Sequence, residues 1–188
     1  YEEENILFPC DFFGSHLASG KFYDEEMGDE LTQYAKSYFG EIMMPFRKMV
    51  DQELDKIEDL DIEMIAPSHG PIYKNPEDIV SSYRTWASGK VKEKVLVIYV
   101  SMWGSTEKLA NTLTDAIASQ GVEAVPINLA SGDLGKLAGE IVDSAGIVIG
   151  TPTVLGGPHP DIQHVTYLAK KLNPPTKYLG VIESHGWS

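Results

Sequence analysis

Basic residues are scarce in this chain: Lys and Arg number 15 against 28 Asp and Glu, a formal net charge of −13. That balance argues against nucleic acid and against an anionic membrane surface, and it suits small cofactors or basic carriers as partners. Cysteine is almost absent. The single Cys10 excludes an internal disulfide and fits a reducing, cytoplasmic setting. No apolar run approaches the ~20 residues that a membrane-spanning helix needs. The first residues, Tyr1-Glu2-Glu3-Glu4, are acidic where a secretory leader is basic. Two nucleotide loops are missing as well. No Gly-x-x-x-x-Gly-Lys-Ser/Thr run is present to hold a nucleoside triphosphate, and no Gly-x-Gly-x-x-Gly fingerprint follows a strand.

What remains is apolar patterning that changes character near Ser88-Gly89-Lys90. Before that point the sequence predicts a short strand over 5–8, a helical stretch over 29–60, a strand over 63–66, and a helix capped by Asn75 with Pro76 in its first turn. In the long stretch Leu31, Tyr34, Tyr38, Ile42, Phe46, Met49 and Val50 recur at helical spacing, and Pro45 predicts a kink or break within it. After Gly89, predicted strands (94–100, 123–129, 145–150, 177–183) alternate with predicted helices (107–119, 134–143, 161–172). That order reads as a parallel sheet covered by helices, which binds ligands outside the carboxyl ends of its strands.

The first such end carries Ser101-Met102-Trp103-Gly104-Ser105-Thr106. A buried strand running into a hydroxyl-rich turn at a helix start offers a phosphate free backbone N–H groups and the positive end of the helix dipole. Ser101, Ser105 and Thr106 add hydroxyl donors, and Gly104 is expected to let backbone approach closely. The turn has no Lys or Arg, so neutral donors would hold the phosphate, which suits a terminal monophosphate such as that of FMN. The same residues also suit a plain serine cap. The third strand opens into Thr151-Pro152-Thr153-Val154-Leu155-Gly156-Gly157-Pro158-His159-Pro160, a long loop able to line a flat ring. The fourth ends in Ser184-His185-Gly186-Trp187-Ser188, which puts Trp187 on the rim with Trp103.

From Gly89 to Ser188 the chain resembles the flavodoxin-like module of the flavodiiron proteins, or A-type flavoproteins. The resemblance implies that Ser101–Thr106 bind the FMN phosphate. It also implies that Thr151-Pro152-Thr153 and the residues to Gly157 lie beside the isoalloxazine, and that Ser184, His185, Gly186 and Trp187 complete the pocket. His185 stands where the family more often has an aromatic residue. The first half resembles the same family's metallo-β-lactamase-like di-iron domain. Ile6 to His16 matches the segment whose aspartate bridges two irons, which makes Asp11 the match, and Ile65 to Pro71 matches the segment with the last histidine ligand, His69. Carboxylate and imidazole suit iron. Read singly, Asp11 is a turn residue and His69 a loop histidine. His16 is a candidate group orienting a ligand or lining the gas pocket. Cys10 reads as a small buried hydrophobe, and His159 and His164 as surface residues.

The fold class implied is α/β: the C-terminal part of a metallo-β-lactamase-like αββα domain (1–89), then a flavodoxin-like doubly wound sheet lacking its C-terminal end (90–188), joined by a hinge over 86–92. The family's His-x-Glu-x-Asp-His cluster of ligands does not occur, so the chain is expected to be an internal fragment that does not assemble its iron centre by itself. For the whole protein the resemblance implies a cytoplasmic oxidoreductase with FMN and two iron ions. Electrons from rubredoxin or a reduced deazaflavin coenzyme would pass through FMN to a di-iron centre that reduces O2 to water or NO to N2O. It also implies a head-to-tail homodimer or a dimer of dimers, with no nucleic acid or membrane partner. Two other readings stay open: an FMN-binding electron carrier without gas reductase activity, and a zinc hydrolase fused to a flavodoxin domain.

Overall fold

The helical pattern between Asp29 and Leu60 is interrupted where Pro45 demands it. In the computed structural model, which describes residues 1–130, 132 and 134–185, helix α1 (Glu30–Tyr38) and helix α2 (Arg47–Ile57) are separate. A π turn over Phe39–Met43 and a 3-10 turn over Met44–Phe46 join them. Pro45 has no N–H to offer the Glu41 carbonyl four residues back, and its ring would crowd that carbonyl. The chain widens instead, and the Met44 N–H reaches the Phe39 carbonyl. The break also shifts the buried face. Leu31, Tyr38 and Val50 of the expected stripe are buried, whereas Tyr34, Ile42, Phe46 and Met49 are exposed, and Ala35, Phe39, Met44 and Leu54 take the interior positions. A single helical period does not survive a change of turn width.

These helices belong to the first of two compact units, Tyr1–Lys90 and Val91–Ser188. In the first unit, strands β1 (Ile6–Leu7) and β2 (Met64–Ile65) pair in parallel, with Ile6 opposite Met64 and Leu7 opposite Ile65. Helix α3 (Pro76–Ala87) closes an aromatic core in which Phe13, Phe39 and Trp86 pack around Tyr83 at centroid distances of 4.7, 5.3 and 5.4 Å. Asn75 occupies the cap position of α3, but its side chain makes no cap bond. Asp24 braces the residues just ahead of the helix, its carboxylate accepting the N–H groups of Lys74 and Asn75 at 2.9 and 3.2 Å.

The second unit is a sheet of parallel strands β3 (Lys92–Tyr99), β4 (Glu123–Asn128), β5 (Ser144–Val154) and β7 (Tyr178–Ser184), in spatial order β4-β3-β5-β7. That is the 2-1-3-4 portion of the flavodoxin-like order, whose ligand site lies at the switch point between its first and third strands, here β3 and β5. Helices α4 (Ser105–Ser119), α5 (Leu134–Ile141) and α6 (Pro160–Leu172) connect them, with α4 touching β3, β4, β5 and β7. The expected long loop after the third strand is not a loop. Strand β5 continues to Val154 and turns back as β6 (Gly157–Pro158) in an antiparallel hairpin. Leu155 (φ 50°) and Gly156 (φ 79°) form its two-residue tip, the positive-φ pair that matches strand twist.

At the opposite end of β3 a charged cluster is buried. Lys94 Nζ lies 2.7 Å from Glu140 and 2.6 Å from Asp143, and Lys92 lies 3.1 Å from the other oxygen of Asp143. Burial alone would lower the Lys94 pKa; hydrogen bonds to Asp143 and Glu140 outweigh it and leave the ammonium raised above its ordinary value.

Candidate functional site

Strand register sets the geometry of the second unit's carboxyl edge. Tyr99 of β3 pairs with Gly150 of β5, and the Val100 N–H donates to the Gly150 carbonyl at 3.1 Å. The Ser101–Thr106 turn and the Thr151 hairpin therefore leave neighbouring strands side by side. Pro152 pairs with Ser184 of β7, whose hydroxyl lies 2.8 Å from the buried Thr106 Oγ1 at the start of α4. Three strand ends meet around one helix N-terminus.

The hydroxyls there have different duties. No side chain caps α4, and the Lys108 N–H donates to the Gly104 carbonyl at 2.9 Å as its first helical bond, so the N–H groups of Ser105, Thr106 and Glu107 lie ahead of the helical ladder. Ser101 Oγ accepts the Gly104 N–H at 3.0 Å, which folds the turn rather than capping the helix. Gly104 has φ 85°, and a Cβ built on it would meet nothing within 4 Å. Its positive φ is a conformation that glycine adopts without strain. Ser105 is exposed in the first turn, free to donate. Thr106 is spent on Ser184. Behind the turn, burial and then the neighbouring Glu107 carboxylate push the Tyr99 phenol above its ordinary pKa.

Around this centre Met102 and Trp103 are exposed, Trp103 at 90 %, and Leu155 at the hairpin tip is fully exposed. Thr151 is buried: its hydroxyl donates to the Pro152 carbonyl at 2.9 Å and accepts the His159 N–H at 3.0 Å, bracing the hairpin. His159 is not a plain surface residue, since its Nδ1 accepts the Asp161 N–H at 3.3 Å and caps α6. His185 Nδ1 lies 3.5 Å from Glu183. Pro152, Thr153, Val154 and Gly157 line the two arms of the hairpin. Gly186, Trp187 and Ser188 lie outside the described residues.

In the first unit, Asp11 and His69 come together from distant parts of the sequence, Oδ1 to Nε2 at 3.4 Å with both side chains about half exposed. Backbone hydrogen bonds hold their loops against each other: the Ser68 N–H donates to the Cys10 carbonyl at 2.8 Å, and the Ser15 N–H to the His69 carbonyl at 3.1 Å. Gly70 makes that contact possible. It has φ 90°, and a Cβ there would sit 2.2 Å from Ser15 Oγ. Cys10 is not the buried hydrophobe expected. It is exposed in a left-handed turn (φ 57°), with Sγ 3.8 Å from the Asp11 carboxylate. His16 stands edge-on to Tyr38 at 4.7 Å and to His69 at 6.2 Å between ring centroids. The Tyr38 phenol is raised by burial first, then by Asp11 and Cys10.

Two family models match: one described as ODP family beta lactamase over residues 1–70, and one described as Flavodoxin over residues 97–173. Among solved structures, the flavodiiron protein from Giardia intestinalis superposes with a TM-score of 0.94 and 26% identity, covering 100% of this chain and 47% of that one. The chain belongs to the flavodiiron protein family. Rubredoxin oxygen:oxidoreductase from Desulfovibrio gigas, another solved structure, gives 0.93 at 26%, over 99% of this chain and 48% of that one. Curated relatives include a nitric oxide reductase of Moorella thermoacetica, 34% identical over 98% of this chain and 47% of the relative. A coenzyme F420H(2) oxidase of Methanothermobacter marburgensis is 35% identical over 86% and 41%. The chain thus spans about half the length of the curated relatives it matches.

Within this flavodiiron fold the uncapped α4 terminus, with Ser101 and Ser105 beside it, fits the phosphate of FMN. Asp11 and His69 are the right donor types for iron and meet at one point, yet among the described residues no group of three or more His, Cys, Asp or Glu could hold a metal ion. Two residues at this place escaped sequence reasoning: Tyr38, which read as core, and Glu41, whose Oε2 lies 3.4 Å from His16 Nδ1. The one signal that pointed to Glu41 was Pro45, four residues on.

Proposed function

We propose that the whole protein is a flavodiiron oxidoreductase that takes electrons from a reduced carrier through FMN to a di-iron centre and reduces O2 to water or NO to N2O. The observation that carries this reading is the pairing, in one chain, of the Asp11–His69 contact at 3.4 Å with an uncapped, hydroxyl-lined helix terminus at a flavodoxin-type switch point. When bound, FMN supplies the exchange of two-electron and one-electron steps, and iron supplies the gas-binding and reducing centre.

This chain's residues have the following parts. First-turn N–H groups of α4 with Ser101 and Ser105 hold the phosphate, and Thr106 and Ser184 tie the helix start to β7. The Thr151–Pro158 hairpin, Trp103 and His185 border the ring. Asp11 supplies a carboxylate able to bridge two cations, and His69 an imidazole ligand. Rubredoxin or a reduced deazaflavin coenzyme is the donor class, as relatives named for each are found. Assembly is as a head-to-tail dimer or a dimer of dimers. No described helix is long and apolar enough to cross a membrane.

The test uses the full-length protein. Metal and flavin analysis should give two irons and one FMN per chain, and anaerobic protein with photoreduced FMN should consume O2 or NO. Zinc in place of iron, or reduced flavin that turns over neither gas, would overturn the reading.

A further inference from the structure

His16 faces the Asp11–His69 pair, and something must fix its ring, because more than half of its side chain is exposed. Two contacts do so. Tyr38 packs edge-on against it at 4.7 Å, and Glu41 Oε2 lies 3.4 Å from Nδ1. Glu41 stands within the π turn that Pro45 imposes, between Tyr38, which is buried, and Met44, which is also buried. The turn is therefore anchored at both ends, and the Glu41 backbone is held by the fold rather than by solvent. A carboxylate beside Nδ1 favours the proton on that nitrogen and leaves Nε2 as the unprotonated atom of the neutral ring. Nδ1 is turned to Glu41, and the ring stands 6.2 Å from that of His69.

We propose that Glu41 is a positioning residue for His16, holding its ring in one tautomer and one orientation beside the Asp11–His69 site, and that the π turn at Phe39–Met43 exists to carry it there. Loss of the carboxylate behind a metal-ligating histidine typically lowers activity or metal affinity roughly 10- to 100-fold, and the low end is expected for a histidine that stands beside the donors rather than among them. The kinetic consequence rests on the gas-reductase reading above; the orientation of His16 does not.

The test compares the full-length protein with Glu41→Ala, Glu41→Gln and Pro45→Ala, using 15N-histidine labelling to read the His16 ring nitrogens. In the unsubstituted protein His16 should show a single Nδ1–H tautomer, and Glu41→Ala should replace it with an averaged signal. Glu41→Gln, which keeps an acceptor oxygen, should restore most of it. Pro45→Ala, which lets the segment relax toward an ordinary α turn, should disturb His16 with its carboxylate partner intact. In gas consumption, Glu41→Ala should lower kcat by about tenfold with KM within about twofold, FMN reduction by the donor remaining unchanged. His16 nitrogen signals identical in the unsubstituted protein and Glu41→Ala would overturn the proposal, whether or not the protein reduces gas. A protein inactive toward both gases but with His16 signals that respond as described would overturn the functional reading alone.

Discussion

The buried charge cluster at the foot of β3 yields a sharp stability prediction. Lys94 is 2 % exposed, with Asp143 at 2.6 Å and Glu140 at 2.7 Å. Replacing it with Met keeps the length and apolar stem but removes the cation, so packing changes little. The cost arises from the carboxylates left behind. Breaking a buried pair by deleting one partner typically costs about 3–5 kcal/mol. Asp143 keeps Lys92 at 3.1 Å, and Glu140 retains 28 % of its side-chain surface in water, so the lower end applies, about 3 kcal/mol. At a urea dependence of about 2 kcal/mol per molar, Lys94→Met should lower the unfolding midpoint of the flavodoxin-like unit by roughly 1.5 M. Far-UV circular dichroism of the full-length protein reads it. Adding Asp143→Asn removes one of the two carboxylate charges that faced the lysine and should recover at least half the loss. The pH dependence has a definite sign. A raised lysine contributes in full below its unfolded pKa and loses that contribution as pH rises through the folded one, so the Lys94 share should persist at neutral pH and fall away only above about 10.4. A loss under about 1 kcal/mol for Lys94→Met, or no recovery on adding Asp143→Asn, would refute this account.

Other consequences are direct. Ser105→Glu sets a carboxylate where the phosphate would lie, so full-length protein should purify without yellow colour; unchanged flavin stoichiometry would remove FMN from this turn. Thr106→Val keeps shape but deletes the 2.8 Å bond to Ser184, costing about 1 kcal/mol and weakening FMN binding several-fold in a fluorescence titration. Gly70→Ala meets both a φ of 90° and a Cβ position 2.2 Å from Ser15 Oγ, so about 2 kcal/mol should be lost, with a lower iron content on metal analysis.

Legibility followed the range of the interaction. The β3-α4-β4-α5-β5-α6-β7 alternation could be read because strand and helix periods are local, and the break at Pro45 because a missing N–H is a property of one residue. Its effect on burial was not legible: Ile42, Phe46 and Met49 keep helical spacing but point to solvent once the turn widens. The hairpin at Thr151–Pro158 hid behind its prolines and glycines, which suggest a loop until the positive φ of Leu155 and Gly156 shows a turn. The burial of Lys94 was illegible too, because Lys92-Glu93-Lys94 looks like a solvated strand start and its partner Asp143 lies 49 positions away.

The candidate sites divide along the same line. The phosphate turn declares itself in six consecutive residues, since a helix terminus is a local anion site wherever the sequence places one. Asp11 and His69 each look like ordinary loop residues, and only resemblance joined them in advance. What joins them physically is a strand pair two residues long, Ile6–Leu7 against Met64–Ile65, continued by backbone bonds at Cys10, Ser15, Ser68 and His69. So short a ladder transmits register because Gly70 places no side chain against Ser15 where the loops meet. The meeting of the two donors is then a consequence of pairing, and a one-residue slip of β1 against β2 would carry Asp11 away from His69 with no change to either residue.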